Sequence, residues 1–325
     1  MPLPLLPAPR CPAPAAAPRP TRRRLLALAA AGALAGPSRF AAAEAAPLRL
    51  GTSTPGGGFA LYGETLQRLL TAPGGRPLLQ ARPTRGTEEN LALLRAGALD
   101  AALVQGTAAD ELLAAGEAQP LRILFAMYPS PGLLAVPAAS PATRLEDLRG
   151  QPVVFGVRAS GLVTLARRVF DGLGLDLERD FQALFVERAA DGPTAVLEGR
   201  ARGLWGAGEG WPGFLRLAAA PGGARFLAPQ PAQIPAILAR HPRLQAMELP
   251  AGTYAGIESP LPTVGSVNVV LVREDLAPAR AAAVLQALQA AGPALAAALP
   301  QAAFSTLENT RRSAPSPALL HPAAR

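Results

Sequence analysis

The segment 51–63 has the composition of a turn that contacts an anion. It runs from a short apolar stretch through three consecutive glycines into a helical pattern, and glycines let backbone N–H groups approach a ligand closely. The N-terminus of the following helix favours negative charge. Neither a phosphate loop nor a dinucleotide fingerprint fits the spacing, so a plain tight turn stays the alternative. The predicted ligand contacts here are Thr52, Ser53, Gly57, Gly58 and Tyr62.

Two more turns, at residues 83–90 and 104–107, repeat the order of strand, polar turn and helix. In open parallel sheets, ligands bind beyond the carboxyl ends of the strands. The polar side chains of these turns are therefore expected near the same site, although each one taken alone is better explained by a structural role. The predicted contacts are Thr84, Arg85, Thr87 and Gln105, and Thr87 is also predicted to cap a helix over Glu88–Ala96.

A fourth turn, Phe155–Gly161, contributes Arg158 and Ser160. A hydrogen bond from an arginine adds about 1.5–3 kcal/mol toward an anion, against about 0.3–1 kcal/mol from a helix N-terminus. Arg158 is therefore predicted to clamp a carboxylate or phosphonate, with a solvated loop arginine as the alternative. Ser160 is predicted to cap the helix that begins at Gly161, and Arg158, Ser160 and Gly161 are predicted ligand contacts.

The segment Leu204–Pro212 holds both tryptophans of the chain between glycines. An indole offers an apolar wall and one N–H donor, which suits the lining of a cleft. Packing in a core explains the tryptophans equally well. The predicted contacts from this segment are Trp205 and Glu209.

The residue inventory argues against an enzyme. Downstream of the predicted leader the chain has no cysteine and no lysine, and His241 and His321 are its two histidines. Schiff-base, Cys-His and zinc chemistry therefore lack their residues. His241 is predicted to be a solvated loop residue, and the acidic residues show no paired arrangement. We expect no catalytic residue, no metal site and no cofactor.

Composition is that of a globular protein and gives no nucleic-acid footprint. Hydrophobic residues make up 50% of the sequence and charged residues 17%, a balance that allows a buried core. All 31 basic residues are arginines, and six of them precede Glu44 in the predicted leader, so the net charge of +8 overstates the basicity of the rest. No arginine stripe with interleaved aromatic residues follows.

The first 45 residues have the order of an export signal. Arg22–Arg24 precede an apolar run, and small residues follow at Ala41–Ala43. The run ends near Gly36 and is shorter than the roughly 20 residues of a bilayer span. The sequence Thr21-Arg22-Arg23 resembles a twin-arginine signal. We predict residues 1–45 as a signal peptide that carries Cys11 away with it, and the periplasm as the location.

Short apolar runs alternate with helical segments after the leader, which predicts an α/β fold with parallel sheets. A chain of 325 residues exceeds the roughly 250–300 at which a single core stops growing, which favours two lobes. The predicted strands are Leu48–Gly51, Leu78–Ala81, Ala101–Val104, Arg122–Met127, Leu133–Val136, Pro152–Phe155, Ala183–Val186 and Val267–Val272. The other predicted helices are Tyr62–Leu70, Ala108–Ala115, Gly161–Leu173, Pro193–Glu198, Glu209–Leu217 and Ala279–Ala290.

A set of short landmarks occurs in a characteristic order between Leu48 and Val272. They are Gly51-Thr52 with Gly56–Gly58, Thr84 with Gly86–Asn90, Leu94–Asp100, Met127–Pro131, Leu145–Gly150 and Pro250–Tyr254. Taken together they resemble the TAXI family of substrate-binding proteins of tripartite ATP-independent periplasmic (TRAP) transporters. Tyr128, within one of these landmarks, completes the predicted ligand contacts.

The resemblance implies a type II periplasmic-binding-protein-like fold, with two α/β lobes and a ligand cleft between them. Lobe I is predicted over residues 46–131 and 275–310, lobe II over 132–274, and a flexible tail over 311–325. The implied ligand is a small, anionic solute, a carboxylate or an amino acid such as glutamate, and the implied partner is a membrane-embedded TRAP permease.

Alternatives stay open at this point. The segment Val157–Leu162 departs from the glycine- and serine-rich loop of the family, which leaves the ligand undecided. A receptor for an ABC importer would share the fold and the leader, and an ATPase gene neighbour would distinguish it. A ligand-sensing partner of a membrane receptor and a carboxylate-dependent enzyme are the other readings.

Overall fold

The computed structural model describes residues 46–116 and 120–325. The predicted signal peptide, with its twin-arginine motif and Cys11, lies outside these residues and stays a prediction. The strands are β1 (Leu48–Gly51), β2 (Leu79–Arg82), β3 (Ala101–Val104), β4 (Leu121–Pro137), β5 (Pro152–Gly156), β6 (Gln182–Phe185), β7 (Gly203–Ala207), β8 (Ala224–Leu227), β9 (Gln245–Leu249) and β10 (Leu261–Arg273). The helices are α1 (Gly58–Leu69), α2 (Thr87–Arg95), α3 (Gly106–Ala115), α4 (Gly161–Gly172), α5 (Leu177–Asp180), α6 (Asp191–Leu197), α7 (Pro212–Ala218), α8 (Ile234–Arg240), α9 (Pro278–Ala298) and α10 (Leu307–Ser313).

Two long antiparallel strands, β4 and β10, connect two α/β lobes. The main path of strands is β2-β1-β3-β10-β4-β7-β5-β6, with β8 paired to β4 and β9 to β10. In the first lobe β1 pairs in parallel with β2 and β3, and in the second lobe β5 pairs in parallel with β6 and β7. The two-lobed α/β architecture predicted from the sequence is confirmed, while the residue limits of the lobes stay a prediction.

Separate hydrophobic cores fill the two lobes. In the first lobe, side chains from β1, β3, the first half of β4 and helix α9 form one cluster. In the second lobe, alternate residues of a strand point to opposite faces of the sheet. Val153 and Phe155 of β5 belong to the cluster on one face, and Val154 belongs to the cluster on the other face. Each lobe therefore has its own core.

Helix α4 shows why the periodic segments fold as helices. Its buried residues recur at the spacing of one helical face, and that face packs on the second-lobe sheet. These residues are Val163, Leu165, Ala166, Val169 and Phe170. Among the described residues one helix, α9, has the length and composition of a membrane span. Its Val284, Leu285 and Leu288 pack into the first-lobe core.

The structure joins two predicted strands into one. Arg122–Met127 and Leu133–Val136 were expected as separate strands because Pro129 and Pro131 lie between them. Strand β4 continues through both prolines, and its register with β10 shifts between Val267 and Val269. A register shift accommodates the missing proline N–H group. The expected break between the lobes is thus a continuous crossing strand.

Three strands were missed, and β7 is the most informative of them. No strand was predicted in this glycine-containing segment, but every residue of Gly203–Ala207 is buried. A Cβ atom on Gly203 would lie 2.7 Å from Leu134, and one on Gly206 would overlap the Trp211 ring. The glycines of β7 therefore provide room for neighbouring side chains. Strands β8 and β9 are short and gave no clear pattern.

The prediction of a loose C-terminal tail is wrong. Helix α10 extends to Ser313, and Leu320, His321 and Ala324 are buried against the first lobe. The His321 backbone N–H donates to Ile123 at 2.9 Å, and its Nε2 lies 3.1 Å from the Leu276 carbonyl oxygen. Small and apolar side chains that showed no periodicity still bury area here because the backbone wraps the lobe in short turns.

His241 and Thr87 also differ from expectation. The imidazole of His241 is mostly buried, and its Nε2 lies 2.7 Å from the Asp171 carboxylate, so it is not a solvated loop residue. Arg240 and His241 together lower the pKa of Asp171 to about 2, mainly through the hydrogen bond from Arg240. Thr87 is the first residue of α2, and Gly86, with a φ of 113°, occupies the cap position.

Candidate functional site

A cavity lies between the two lobes, at the carboxyl ends of their parallel strands. It contains about 850 Å³ of empty space, including its opening to solvent. The turns after β1, β2 and β3 line it from the first lobe, and the turns after β5, β6 and β7 line it from the second. Tyr128 of β4 and Asn268 of β10 line it from the crossing strands. We call this space the cleft cavity.

Three buried side chains present unpartnered polar atoms to the cleft cavity. Tyr128 and Trp211 are each 5% exposed and Asn268 is 2% exposed. Trp211 Nε1 and Asn268 Oδ1 have no hydrogen-bond partner within the described residues, and the Tyr128 hydroxyl makes no hydrogen bond there either. Burial raises the pKa of Tyr128 well above its ordinary value, so it is a neutral hydroxyl. Buried polar groups in folded proteins nearly always have partners.

Two further orphaned polar atoms border the same space. Ser160 Oγ and Gln301 Oε1 are buried without a partner in the described part of the chain, and both residues line the cavity. Ser160 occupies the cap position of α4 but makes no capping hydrogen bond, which corrects the predicted cap. Its hydroxyl is left available to a bound solute.

The wall contributed by the second lobe is apolar. Val154 and Leu204 lie side by side, since a Cβ atom on Gly192 would lie 3.4 Å from one and 2.9 Å from the other. Leu162 and Leu165 of α4 add to the same wall, and Val186 follows β6. This wall suits the hydrocarbon part of a ligand.

Of the described residues that line the cavity, Arg85 and Glu209 carry a formal charge. The Arg85 side chain is 67% exposed, and its Nε lies 3.1 Å from the Glu89 carboxylate. The backbone N–H of Arg85 donates to the same carboxylate at 2.7 Å, and this bond is the main cause of the lowered pKa of Glu89. The cation at the cavity is therefore exposed and already paired.

Helix N-termini from both lobes face the cleft cavity. The cap residue Gly57 of α1 provides no side-chain hydrogen bond, and neither does Ser160 of α4. Ser53 partly fills this role, because its Oγ accepts a hydrogen bond from Ala60 N at 3.0 Å. The remaining first-turn N–H groups favour a ligand oxygen with negative charge.

The lobes touch each other around the cavity through direct hydrogen bonds. Ala189 N donates to Thr54 Oγ1 at 3.0 Å, and Glu88 N donates to the Ala159 carbonyl oxygen at 3.2 Å. Arg168 of α4 forms an ion pair with Glu111 of α3. These contacts join loops of one lobe to loops of the other, so the structure is closed over the cavity.

Nine of the fifteen predicted contacts line the cleft cavity, and six do not. Those that line it are Ser53, Gly57, Gly58, Arg85, Gln105, Tyr128, Ser160, Gly161 and Glu209. Those that lie elsewhere are Thr52, Tyr62, Thr84, Thr87, Arg158 and Trp205.

Four of the six hold the first lobe together. Thr52 Oγ1 donates to the Arg82 carbonyl oxygen, and Thr84 Oγ1 donates to Asn90 Oδ1 at 2.8 Å. Thr87 Oγ1 accepts from Gln105 N. The Tyr62 hydroxyl lies 2.7 Å from Ser305 Oγ. Their hydrogen-bonding groups are thus used inside the protein.

Arg158 and Trp205 are placed away from the cavity for different reasons. The Arg158 guanidinium lies 3.8 Å from the centre of the Phe185 ring and 3.1 Å from the Glu178 carboxylate, with 61% of the side chain exposed. It points to solvent, so the geometry gives the predicted clamp no support. Trp205 is fully buried and its Nε1 donates to the Leu162 carbonyl oxygen at 3.0 Å.

Sequence reasoning missed Trp211, Asn268 and Gln301. Trp211 stood in the segment already singled out, but Trp205 was chosen instead. Asn268 had a signal, since it is the one polar residue in the run Val267–Val272. Gln301 had none, because it comes from a short turn after α9 far along the chain. In the described part of the chain no cluster of His, Cys, Asp and Glu could hold a metal ion.

Comparisons with known proteins identify a family and a fold. The model of the NMT1-like family matches residues 50–325. No curated protein sequence matches the chain. A solved structure of a periplasmic transporter is 12% identical, covers 80% of this chain and 88% of its own, and has a TM-score of 0.54. A structure from Bordetella bronchiseptica RB50 is 15% identical over 80% of this chain and 77% of its own, with a TM-score of 0.51.

The alkanesulfonate-binding protein SsuA from Xanthomonas axonopodis pv. citri, bound to MOPS, is also similar. It is 19% identical over 84% of each chain, with a TM-score of 0.48. The sequence identities are low, so the two structures with TM-scores above 0.5 are similar to this chain in fold alone. It confirms the predicted periplasmic-binding-protein-like fold.

Proposed function

Because the chain belongs to the NMT1-like family and folds as two α/β lobes around a cleft, we propose that it is the extracytoplasmic solute-binding receptor of a membrane importer. One observation carries the proposal: the cleft cavity contains unpartnered polar atoms on buried side chains, between lobes that touch around it. A bound solute would supply the missing hydrogen bonds and hold the lobes together. Such a receptor passes its ligand on unchanged.

The residues of the cavity support binding without catalysis. The described residues of the lining include no histidine, cysteine or lysine, so a nucleophile with an adjacent base has no place among them. Glu209 is the one carboxylate among the lining residues that the structure describes, which leaves paired acid–base hydrolysis without its partner. The proposed receptor therefore has no enzymatic step.

The proposed location is the periplasm, and it rests on the predicted export signal in residues 1–45 together with the fold. The partner is a membrane permease. The TRAP assignment depended on the resemblance to TAXI proteins, and the family model that matches carries a different description. We therefore rank an ABC importer first and a TRAP permease second.

Uptake into membrane vesicles separates the two permeases. An ABC partner predicts receptor-dependent uptake that requires ATP and survives an uncoupler. A TRAP partner predicts uptake that requires an ion gradient and continues without ATP. Uptake by neither route would leave a sensor role for the same binding site.

A calorimetric or thermal-shift screen of small solutes tests the receptor role itself. A ligand at about 100 times its dissociation constant should stabilise the protein by about 2.7 kcal/mol. The bound solute should be recovered chemically unchanged. A broad screen in which no solute binds, or recovery of a converted product, would contradict the proposal.

A further inference from the structure

The cleft cavity has one polar end and one apolar wall. We propose that its ligand is a small amphiphile with a single polar head and an uncharged apolar body, an inference that rests on the proposed receptor function. It narrows the anionic class expected from the sequence, because it excludes solutes that carry a charged group on the body, dicarboxylates and glutamate among them.

Donors and acceptors define the polar end. The Cβ position of Gly58 lies 3.3 Å from Trp211 Cδ1 and 3.4 Å from the Tyr128 hydroxyl, so these two donors flank the N-terminus of α1. Asn268 is fixed beside them on β10, because its Nδ2 donates to Ser130 Oγ at 2.6 Å. A ligand oxygen at this end would accept from Trp211 Nε1 and Tyr128.

Two acceptor oxygens of the protein at the same end of the cavity favour a ligand that donates a hydrogen bond. Gln301 Oε1 lies 2.8 Å from the Cβ position of Gly210, the neighbour of Trp211, and has no partner in the described residues. Asn268 Oδ1 is likewise unpartnered there. A head that carries both an acceptor oxygen and an N–H or O–H group, such as an α-amino acid or an amide, matches this set.

The apolar wall determines the body of the ligand. Val154, Leu165 and Leu204 are fully buried hydrophobic residues that line the cavity, and they offer no hydrogen bond to a second charged group. A carboxylate placed against them would lose its water without compensation. Arg85 cannot readily replace that water, since its guanidinium is exposed and paired with Glu89.

Matched solute pairs test the inference by calorimetry on the purified protein. L-leucine and L-glutamate share a head and differ in body, and so do hexanamide and adipic acid monoamide. We expect the apolar member of at least one pair to bind, and to bind at least tenfold more tightly than its acidic partner. Equal or tighter binding of glutamate or of the adipic acid monoamide overturns the inference, and so does the absence of binding by all four.

A wider screen keeps this outcome separate from the receptor role. Binding of a solute from another class would overturn the amphiphile inference and leave the receptor intact, whereas no binding at all would overturn both.

The variant Val186→Arg gives a second readout. Val186 is half-buried and lines the apolar wall, so a guanidinium there should reverse the preference within a pair by at least tenfold, in favour of the acidic member. Leu197→Arg, at a residue 46% exposed on α6 and absent from the lining, is the matched control and should leave the preference unchanged. An unchanged preference in a folded Val186→Arg protein would contradict the placement of the apolar body.

Discussion

The hydroxyl groups of Tyr128 and Tyr254 differ in what they contact, and that difference makes Tyr128→Phe a test of whether the Tyr128 hydroxyl binds the ligand. The Tyr128 hydroxyl faces the cleft cavity and makes no hydrogen bond within the described residues. The Tyr254 hydroxyl accepts from Trp211 N at 2.9 Å and donates to the Gly208 carbonyl oxygen at 2.8 Å. One hydroxyl is predicted to serve the ligand and the other serves the fold.

The magnitudes follow from the number of hydrogen bonds lost. A typical hydrogen bond contributes about 0.5–1.5 kcal/mol. Tyr254→Phe loses two and should lower the free energy of unfolding by about 1–3 kcal/mol. Tyr128→Phe loses none and should leave the free energy of unfolding within about 0.5 kcal/mol of the parent. With ligand bound, Tyr128→Phe should weaken affinity roughly 2- to 12-fold.

Urea unfolding measures the stabilities, and calorimetry with the best ligand from the screen measures the affinity. The reasoning requires opposite patterns for the two variants. A Tyr128→Phe protein that loses stability as much as Tyr254→Phe, or that binds the ligand as tightly as the parent, would refute the assignment of its hydroxyl to the ligand.

Three further predictions concern charge and packing. Burial raises the pKa of Asp110 to about 6, with Arg243 opposing the rise and Glu111 adding to it. Because the folded state favours the protonated carboxyl group, the contribution of Asp110 to stability is fully present below about pH 4 and is lost as the pH rises through 6. Asp110→Asn should therefore stabilise the protein at pH 7 by about 1–3 kcal/mol and leave it unchanged at pH 3.5, and equal effects on urea unfolding at both pH values would contradict this. Deletion of residues 314–325 should lower the free energy of unfolding by at least about 2 kcal/mol, because the buried side chains of Leu320 and Ala324 are removed. An unchanged free energy of unfolding would support the original prediction that this segment is a loose tail. Arg168→Met should remove the ion pair with Glu111 between the lobes and weaken ligand binding up to about fivefold; an unchanged dissociation constant by calorimetry would mean that this contact does not help closure.

The fold was largely predictable because alternation of strands and helices leaves a strong periodic signal. Strand Ala101–Val104 has the predicted bounds, and α4 differs from its prediction by one residue at the end. Strand β7 was missed because glycines suggest loops, whereas here they make room for Trp211 and Leu134. The crossing strand β4 was divided for a similar reason, since its prolines are tolerated only through a register shift with a distant strand.

The location of the candidate site could be predicted from the sequence better than the side chains that form it. Strand order placed the turns after β1, β2, β3 and β5 at one cavity, and these turns do line it. The sequence could not tell which side chains have free polar atoms. Thr84 and Asn90 satisfy each other inside the first lobe, while Asn268 and Gln301, from remote parts of the chain, leave atoms for a ligand.

Calorimetry of Trp211→Phe with the best screened solute tests the central claim most directly. The indole N–H of Trp211 has no partner in the described residues, so its removal leaves no group in the protein without a bond. The account predicts one ligand per chain in the parent, a weaker dissociation constant in a variant that is less stable but still folded, because the buried indole also packs against Phe214, and a solute released chemically intact. Ligand affinity that is the same in Trp211→Phe and the parent, or a solute that is converted during binding, would contradict it.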